Sequence, residues 1–248
     1  MLFIESSVVN SRSLGDTAMS QDKTEFRIAH DVFVPFGRAQ LEGELNIPAG
    51  ASGVVLFAHG SGSSRHSPRN KYVARILHES NIGTFLFDLL TREEEEEEKY
   101  TRHLRFDIDL LAERLVYATN WIKEHAEVQN LPLGYFGSST GAAAALVAAA
   151  ELGEQVAVVV SRGGRPDLAG DSLPRVKAPT LLIVGGHDEQ VISLNWQAYR
   201  ELHCEKKVEI VEGATHLFEE PGALERVARL AAEWFKKRFE SKAQTVGA

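Results

Sequence analysis

An α/β architecture is predicted, with a mostly parallel central sheet of about eight strands and helices on both faces, and three observations predict it. Short apolar and β-branched runs recur along the chain, helical stretches separate them in the later two-thirds, and from residue 53 onward the runs are apolar at nearly every position. Strands that lack polar alternation are what a sheet covered on both faces requires. Strands are expected over 26–28, 31–34 and 40–46, which read as an antiparallel edge, and then over 53–58, 83–87, 133–136, 155–160, 180–184 and 207–211. Helices are expected over 70–80, 107–125, 139–152, 193–203 and 223–237. The last carries Leu224, Val227, Leu230, Ala231 and Phe235 at helical spacing, a stripe that belongs to the core. The stretch 93–98 is six consecutive glutamates between Arg92 and Lys99, whose self-repulsion predicts a solvated loop or a frayed helix in preference to a cation site.

With 248 residues, 44% hydrophobic and 25% charged, the chain suits one large α/β domain, expected over 24–240. Residues 1–23 read as a disordered extension, with the domain proper starting near Met19 or after it, and 241–248 as a C-terminal tail. A formal charge of −8 without clustered Lys or Arg argues against a nucleic-acid surface. The single cysteine, Cys204, precludes an internal disulfide and reads as a small packing residue. No run of about 18 apolar residues is present to span a membrane, and the N-terminus lacks a basic start followed by an apolar core. A cytoplasmic monomer or homodimer without a membrane partner is the expectation.

The chemistry is concentrated around Ser139, at the centre of Gly137-Ser138-Ser139-Thr140-Gly141 between an apolar run and an alanine-rich helix. Where a strand turns at once into a helix, the central serine is forced into a strained conformation that projects its hydroxyl, and side chains two residues away on either side would collide. Serine needs a base to take its proton and a carboxylate to hold that base in the right tautomer. Asp188 follows the run 180–184 through Gly185-Gly186-His187, and His216 follows 208–211 through Glu212-Gly213-Ala214-Thr215. In isolation Asp188 also reads as a helix N-cap and His216 as a surface histidine. Their order after Ser139, each from a successive strand end, points to a Ser139-Asp188-His216 triad.

An acyl-transfer intermediate carries an oxyanion that needs two fixed donors. Thr140 N–H and Ser61 N–H, the latter in His59-Gly60-Ser61-Gly62-Ser63-Ser64, are the candidates, with His59 bracing the loop. That loop lacks the G-K-[ST] ending of a phosphate-binding P-loop and the third glycine of a dinucleotide fingerprint. The nine histidines are scattered, so no metal site is expected. Arg65 and His66, the stretch 89–105 including Arg105, and Arg162 and Arg165 lie where a substrate would be gripped. Guanidinium binds carboxylate or phosphate bidentately, although pairing with nearby acids is the competing explanation for these arginines. The longest candidate cap, 91–105, is short, which favours small substrates.

The motifs His59-Gly60-Ser61-Gly62-Ser63, Gly134 to Gly141, Leu182-Ile183-Val184-Gly185-Gly186-His187-Asp188 and Gly213-Ala214-Thr215-His216-Leu217-Phe218 resemble those of the α/β-hydrolase superfamily. Within it they are similar to the dienelactone-hydrolase-like group, a likeness extending from about Phe26 to Phe239. The resemblance implies cleavage of a small ester, lactone or thioester through an acyl-serine, with neither organic cofactor nor metal. The group's namesake enzymes carry cysteine where this chain has Ser139, so their lactone reaction does not transfer directly. A thioesterase or peptidase on the same triad, or a non-catalytic binding protein of this fold, are the alternatives.

Overall fold

The computed structural model describes residues 24–246, so the expectations for 1–23 lie outside the described residues. Eight strands form one sheet: β1 (Phe26–Phe36), β2 (Ala39–Pro48), β3 (Val54–Ala58), β4 (Gly83–Phe87), β5 (Leu133–Ser138), β6 (Val156–Arg162), β7 (Thr180–Gly185) and β8 (Lys206–Val211). Their spatial order is β1-β2-β4-β3-β5-β6-β7-β8. β1 and β4 each pair antiparallel with β2, and every pairing from β4 to β8 is parallel. The helices are α1 (Pro68–Glu79), α2 (Arg92–Thr101), α3 (Ile108–Lys123), α4 (Thr140–Leu152), α5 (Glu189–Glu201) and α6 (Ala223–Val246).

Successive side chains of a strand point to opposite faces, and the two cores follow that alternation. Val54, Leu56 and Tyr135 join the core that α3, α4 and α5 cover, whereas Val55, Phe57 and Phe136 join the one under α1 and α6. Buried side chains of this size contribute on the order of 1.5–3 kcal/mol each, so both faces are strongly held. From β3 the chain winds one way to β4, then returns past β3 to β5. The reversal opens a crevice between the carboxyl ends of β3 and β5, which is where open α/β sheets place ligands.

Three expectations change. The strands 26–28 and 31–34 are one, because Ala29 and His30 pair with Asn46 and Leu45 across the β1–β2 hairpin while facing solvent. The glutamate run is a capped helix: Thr91 Oγ1 accepts from Glu94 N–H, the Glu94 carboxylate accepts from Thr91 N–H, and three of its acids pair with arginines. The final helix runs to Val246, so residues 241–246 are helical where a tail was expected. Phe239 continues the buried stripe one turn beyond Phe235, and no Gly or Pro interrupts the chain before Gly247. Among the described residues no helix is long and apolar enough to cross a membrane.

Candidate active site

The turn after β5 is dictated by crowding. A Cβ on Gly137 would stand 2.4 Å from Ala142 Cα, and one on Gly141 would stand 2.2 Å from the Ala58 carbonyl oxygen. Only glycine permits α4 to start this close to β3, and the alanines that follow let the helix lie buried on the sheet. Ser139 is held at φ 51°, ψ −122°, a conformation that costs a non-glycine residue on the order of 1–3 kcal/mol. It stands just before α4, makes no capping hydrogen bond with its side chain, and lies half-buried in a cleft. Thr140 N–H, in the first turn of α4, has no intrahelical acceptor.

Asp188 and His216 come from the ends of β7 and β8. Asp188 occupies the N-cap position of α5, yet its side chain does not cap the helix. It accepts instead from His216 Nδ1 at 2.6 Å. The loops that carry them are laced by backbone bonds from Gly186 N–H to Val211 and from His187 N–H to Ala214. With Nδ1 engaged, Nε2 is the ring nitrogen left for another partner, and His216 and Ser139 line the same cleft.

The cleft holds about 310 Å³ and is lined by Gly60, Ser61, Gly62, Ser63, Arg69, Ser138, Ser139, Arg162, Gly163, His216 and Leu217. The Gly60 loop approaches so closely that a Cβ there would stand 3.0 Å from Ser139 Cβ. His59 fixes this loop from beneath. Its Nε2 accepts from Leu89 N–H at 3.1 Å, which leaves the proton on Nδ1 to donate to the Gly60 carbonyl at 3.1 Å. Burial pushes its pKa down, against a smaller opposing effect of the Gly60 bond, and the ring is neutral.

The four arginines flagged by sequence separate. Arg65 ion-pairs with Asp88 and Glu42, and Arg165 makes a bidentate pair with Asp167 at 2.9 and 2.8 Å. Arg105 donates to the Ser61 carbonyl at 3.1 Å and pairs with Glu95 at 2.8 Å and Glu98 at 3.2 Å. These three lie outside the cleft wall, their guanidiniums drawn off by neighbouring carboxylates. Arg162 alone of the four lines the cleft, at 8% exposure. Burial, and then the charge of Arg69, push its pKa down to about 10.

Sequence reasoning missed Arg69, although Ser67 and Pro68 mark the first turn of a helix directly after the Gly60 loop. That Arg69 faces the cleft depends on how α1 is laid against the sheet. Among the described residues no group of His, Cys, Asp and Glu is arranged to hold a metal.

A family model described as an alpha/beta hydrolase domain matches residues 51–234. A dienelactone hydrolase from Anabaena variabilis is 59% identical, with a TM-score of 0.83 over 85% of this chain and 98% of that one. Est1E from Butyrivibrio proteoclasticus, 14% identical, superposes with a TM-score of 0.71 over 85% of this chain and 99% of that one, a likeness of fold. Two Mycobacterium tuberculosis proteins bearing the provisional name phosphoribosyl transferase are each 55% identical over 205 residues. The match covers 83% of this chain and 45% of theirs, so the chain spans under half the length of those relatives.

Proposed function

The chain belongs to the α/β-hydrolase family, in its dienelactone-hydrolase-like group, and we propose that it is a serine hydrolase cleaving a small ester or lactone through an acyl-serine. One observation carries the reading: Asp188 forgoes its own helix to hold His216 by Nδ1, in a cleft that the strained Ser139 also lines. In this mechanism His216 Nε2 takes the Ser139 proton as Oγ attacks the acyl carbonyl. The oxyanion is received by Thr140 N–H and Ser61 N–H; His59 on the Gly60 carbonyl holds the peptide that carries the Ser61 N–H, and Arg105 on the Ser61 carbonyl holds the next one. His216 returns the proton to the departing alcohol. It next takes a proton from water, whose oxygen attacks the acyl-serine, and finally reprotonates Ser139 as the acid leaves.

The modest cleft supports a short-chain substrate. The transferase name belongs to proteins more than twice as long as the matched region, and Ser61, Ser139, Thr140, Asp188 and His216 all lie inside the hydrolase domain match. The test is labelling by a fluorophosphonate probe, which forms a covalent bond only to an activated serine. Stoichiometric labelling that disappears in Ser139→Ala, together with turnover of short 4-nitrophenyl esters, is the expected outcome. A protein that resists the probe is a binder on this fold, and turnover of thioesters or peptides in place of esters would reassign the leaving group.

A further inference from the structure

The carboxyl end of β6 carries a charge that its surroundings do not answer. Arg162 is opposite Ser138 in the β5–β6 ladder and Ile183 in the β6–β7 ladder, which sets it in the floor of the Ser139 cleft. Its Nε and Nη1 are shut off from solvent without a hydrogen-bond partner, and among the described residues no carboxylate forms an ion pair with it. The charged group beside it is another guanidinium, Arg69, which also lines the cleft and whose Nε is likewise buried and unpartnered. Arg69 has one acid, Glu219 at 3.2 Å, at the exposed rim. Ser138 Oγ adds a fourth buried polar atom without a partner in the same wall.

Burying a charge without a counter-charge is costly, and placing a second cation next to it makes the cost greater. A side chain needed only for packing would be apolar here, as Val160 and Ile183 are. Arg162 nonetheless stays ionised at neutral pH, with its pKa at about 10 after burial and the Arg69 charge have lowered it. What would complete such a site is an anion small enough to share a cleft of about 310 Å³ with the reacting ester. A guanidinium offers planar, paired N–H donors that match carboxylate and phosphate oxygens.

We infer that Arg162 and Arg69 form an anion subsite of the Ser139 cleft that receives a carboxylate or phosphate group carried by the substrate. The assignment rests on the serine-hydrolase reading for the word substrate, and on the unpaired guanidiniums for the anion. Gly163, at φ 50°, lets the chain turn away directly after Arg162, where a Cβ would stand 3.0 Å from the His216 carbonyl oxygen. The anion site and the proposed base are thus built on touching segments, so an anchored anion would fix the distance between the scissile carbonyl and Ser139.

The experiment compares 4-nitrophenyl pentanoate with mono-4-nitrophenyl glutarate, esters of matched length that differ by one terminal carboxylate. Expected is a preference for the glutarate ester of about tenfold or more in kcat/KM, collapsing in Arg162→Gln, partly kept in Arg162→Lys, and weakened in Arg69→Gln. Glutarate and inorganic phosphate, each titrated calorimetrically into wild-type protein and each tried as an inhibitor of pentanoate hydrolysis, tell a carboxylate site from a phosphate site. Should Arg162→Gln fail to fold, Arg69→Gln at the partly exposed edge gives the same readout. Ester turnover with no anionic preference, and no binding of either anion, overturns the subsite and leaves the hydrolase reading intact. Anion binding that is lost in Arg162→Gln, in a protein that turns over no ester, upholds the subsite and overturns the hydrolase reading.

Discussion

The α2 segment and the Ser139 cleft adjoin one another, joined where Arg105 reaches the Ser61 carbonyl, and they treat buried guanidinium groups in opposite ways. Arg114, packed under α2, has Glu94 at 2.6 Å and the Phe36 ring 3.8 Å from its guanidinium carbon. Arg105 has Glu95 and Glu98, the latter accepting also from Leu104 N–H at 2.7 Å. Arg162 is as deeply placed as Arg114 and faces a second cation. Burial of a charge is therefore no functional signal by itself. What separates Arg114 from Arg162 is whether the fold also supplies the counter-charge, and the proposed anion subsite rests on that difference.

The contrast predicts that cleft substitutions change turnover and α2 substitutions change stability. The largest effect is expected for Ser139→Ala and His216→Ala, each lowering kcat by roughly 10⁶, with Asp188→Asn lowering it by roughly 10⁴. Steady-state kinetics check this, with thermal unfolding to show that the fold is kept. On the α2 side, Arg114→Ala should remove about 3 kcal/mol from the unfolding free energy in urea, because it takes the counter-charge from Glu94 and empties the space over Phe36. Its kcat/KM per folded molecule should stay at the wild-type value, and a large fall there would break the division between the two regions.

A half-buried base that burial keeps from protonating can also be tested away from the cleft. Burial lowers the pKa of His78 from 6.5 to about 4, with Glu44 opposing weakly. Between those values the unfolded chain binds the proton that the folded one refuses. Stability should thus be full above pH 6.5 and fall as the pH drops toward 4, with a slope approaching about 1.4 kcal/mol per pH unit. His59 acts in the same direction, so His78→Gln should reduce the slope without abolishing it. Glu98 behaves differently: burial would raise its pKa, but the Leu104 and Arg105 N–H groups hold it lowered, so its contribution is lost only as the pH falls below 4.5. Chemical denaturation across pH 4–8 separates the histidines from the carboxylate. The smallest effect is expected for Lys99→Ala, since the exposed Lys99–Glu96 pair on α2 should contribute under about 0.5 kcal/mol. A larger loss would mean that α2 is held by its surface and not by its buried pairs.

Much of the sheet was legible because strands buried on both faces advertise themselves: 83–87 matches β4 in full, and 53–58, 133–136 and 180–184 fall within two residues of their strands. The edge was harder, since exposed Ala29, His30 and Asp31 carry no apolar pattern and are strand only because β2 pairs with them. The glutamate run misled for a related reason. Charge repulsion is a local quantity, and the arginines that neutralise Glu94, Glu95 and Glu98 arrive from other segments. Among candidate site residues, Ser139, Asp188 and His216 could be named from strand-end position and chain order, whereas Arg65, Arg105, Arg162 and Arg165 could not be told apart.

The sequence by itself determined the alternation of strands and helices, the glycines that the turn at Ser139 requires, and the order of serine, aspartate and histidine. Those features are local, set by hydrophobic period, by backbone sterics and by what directly follows a strand. Only the tertiary structure decided that Asp188 serves His216 instead of its own helix, that three arginines are already paired, and that Arg162 and Arg69 meet without an acid between them. Counter-charges come from parts of the chain far apart in sequence, and folding alone brings them within the few ångströms over which they act.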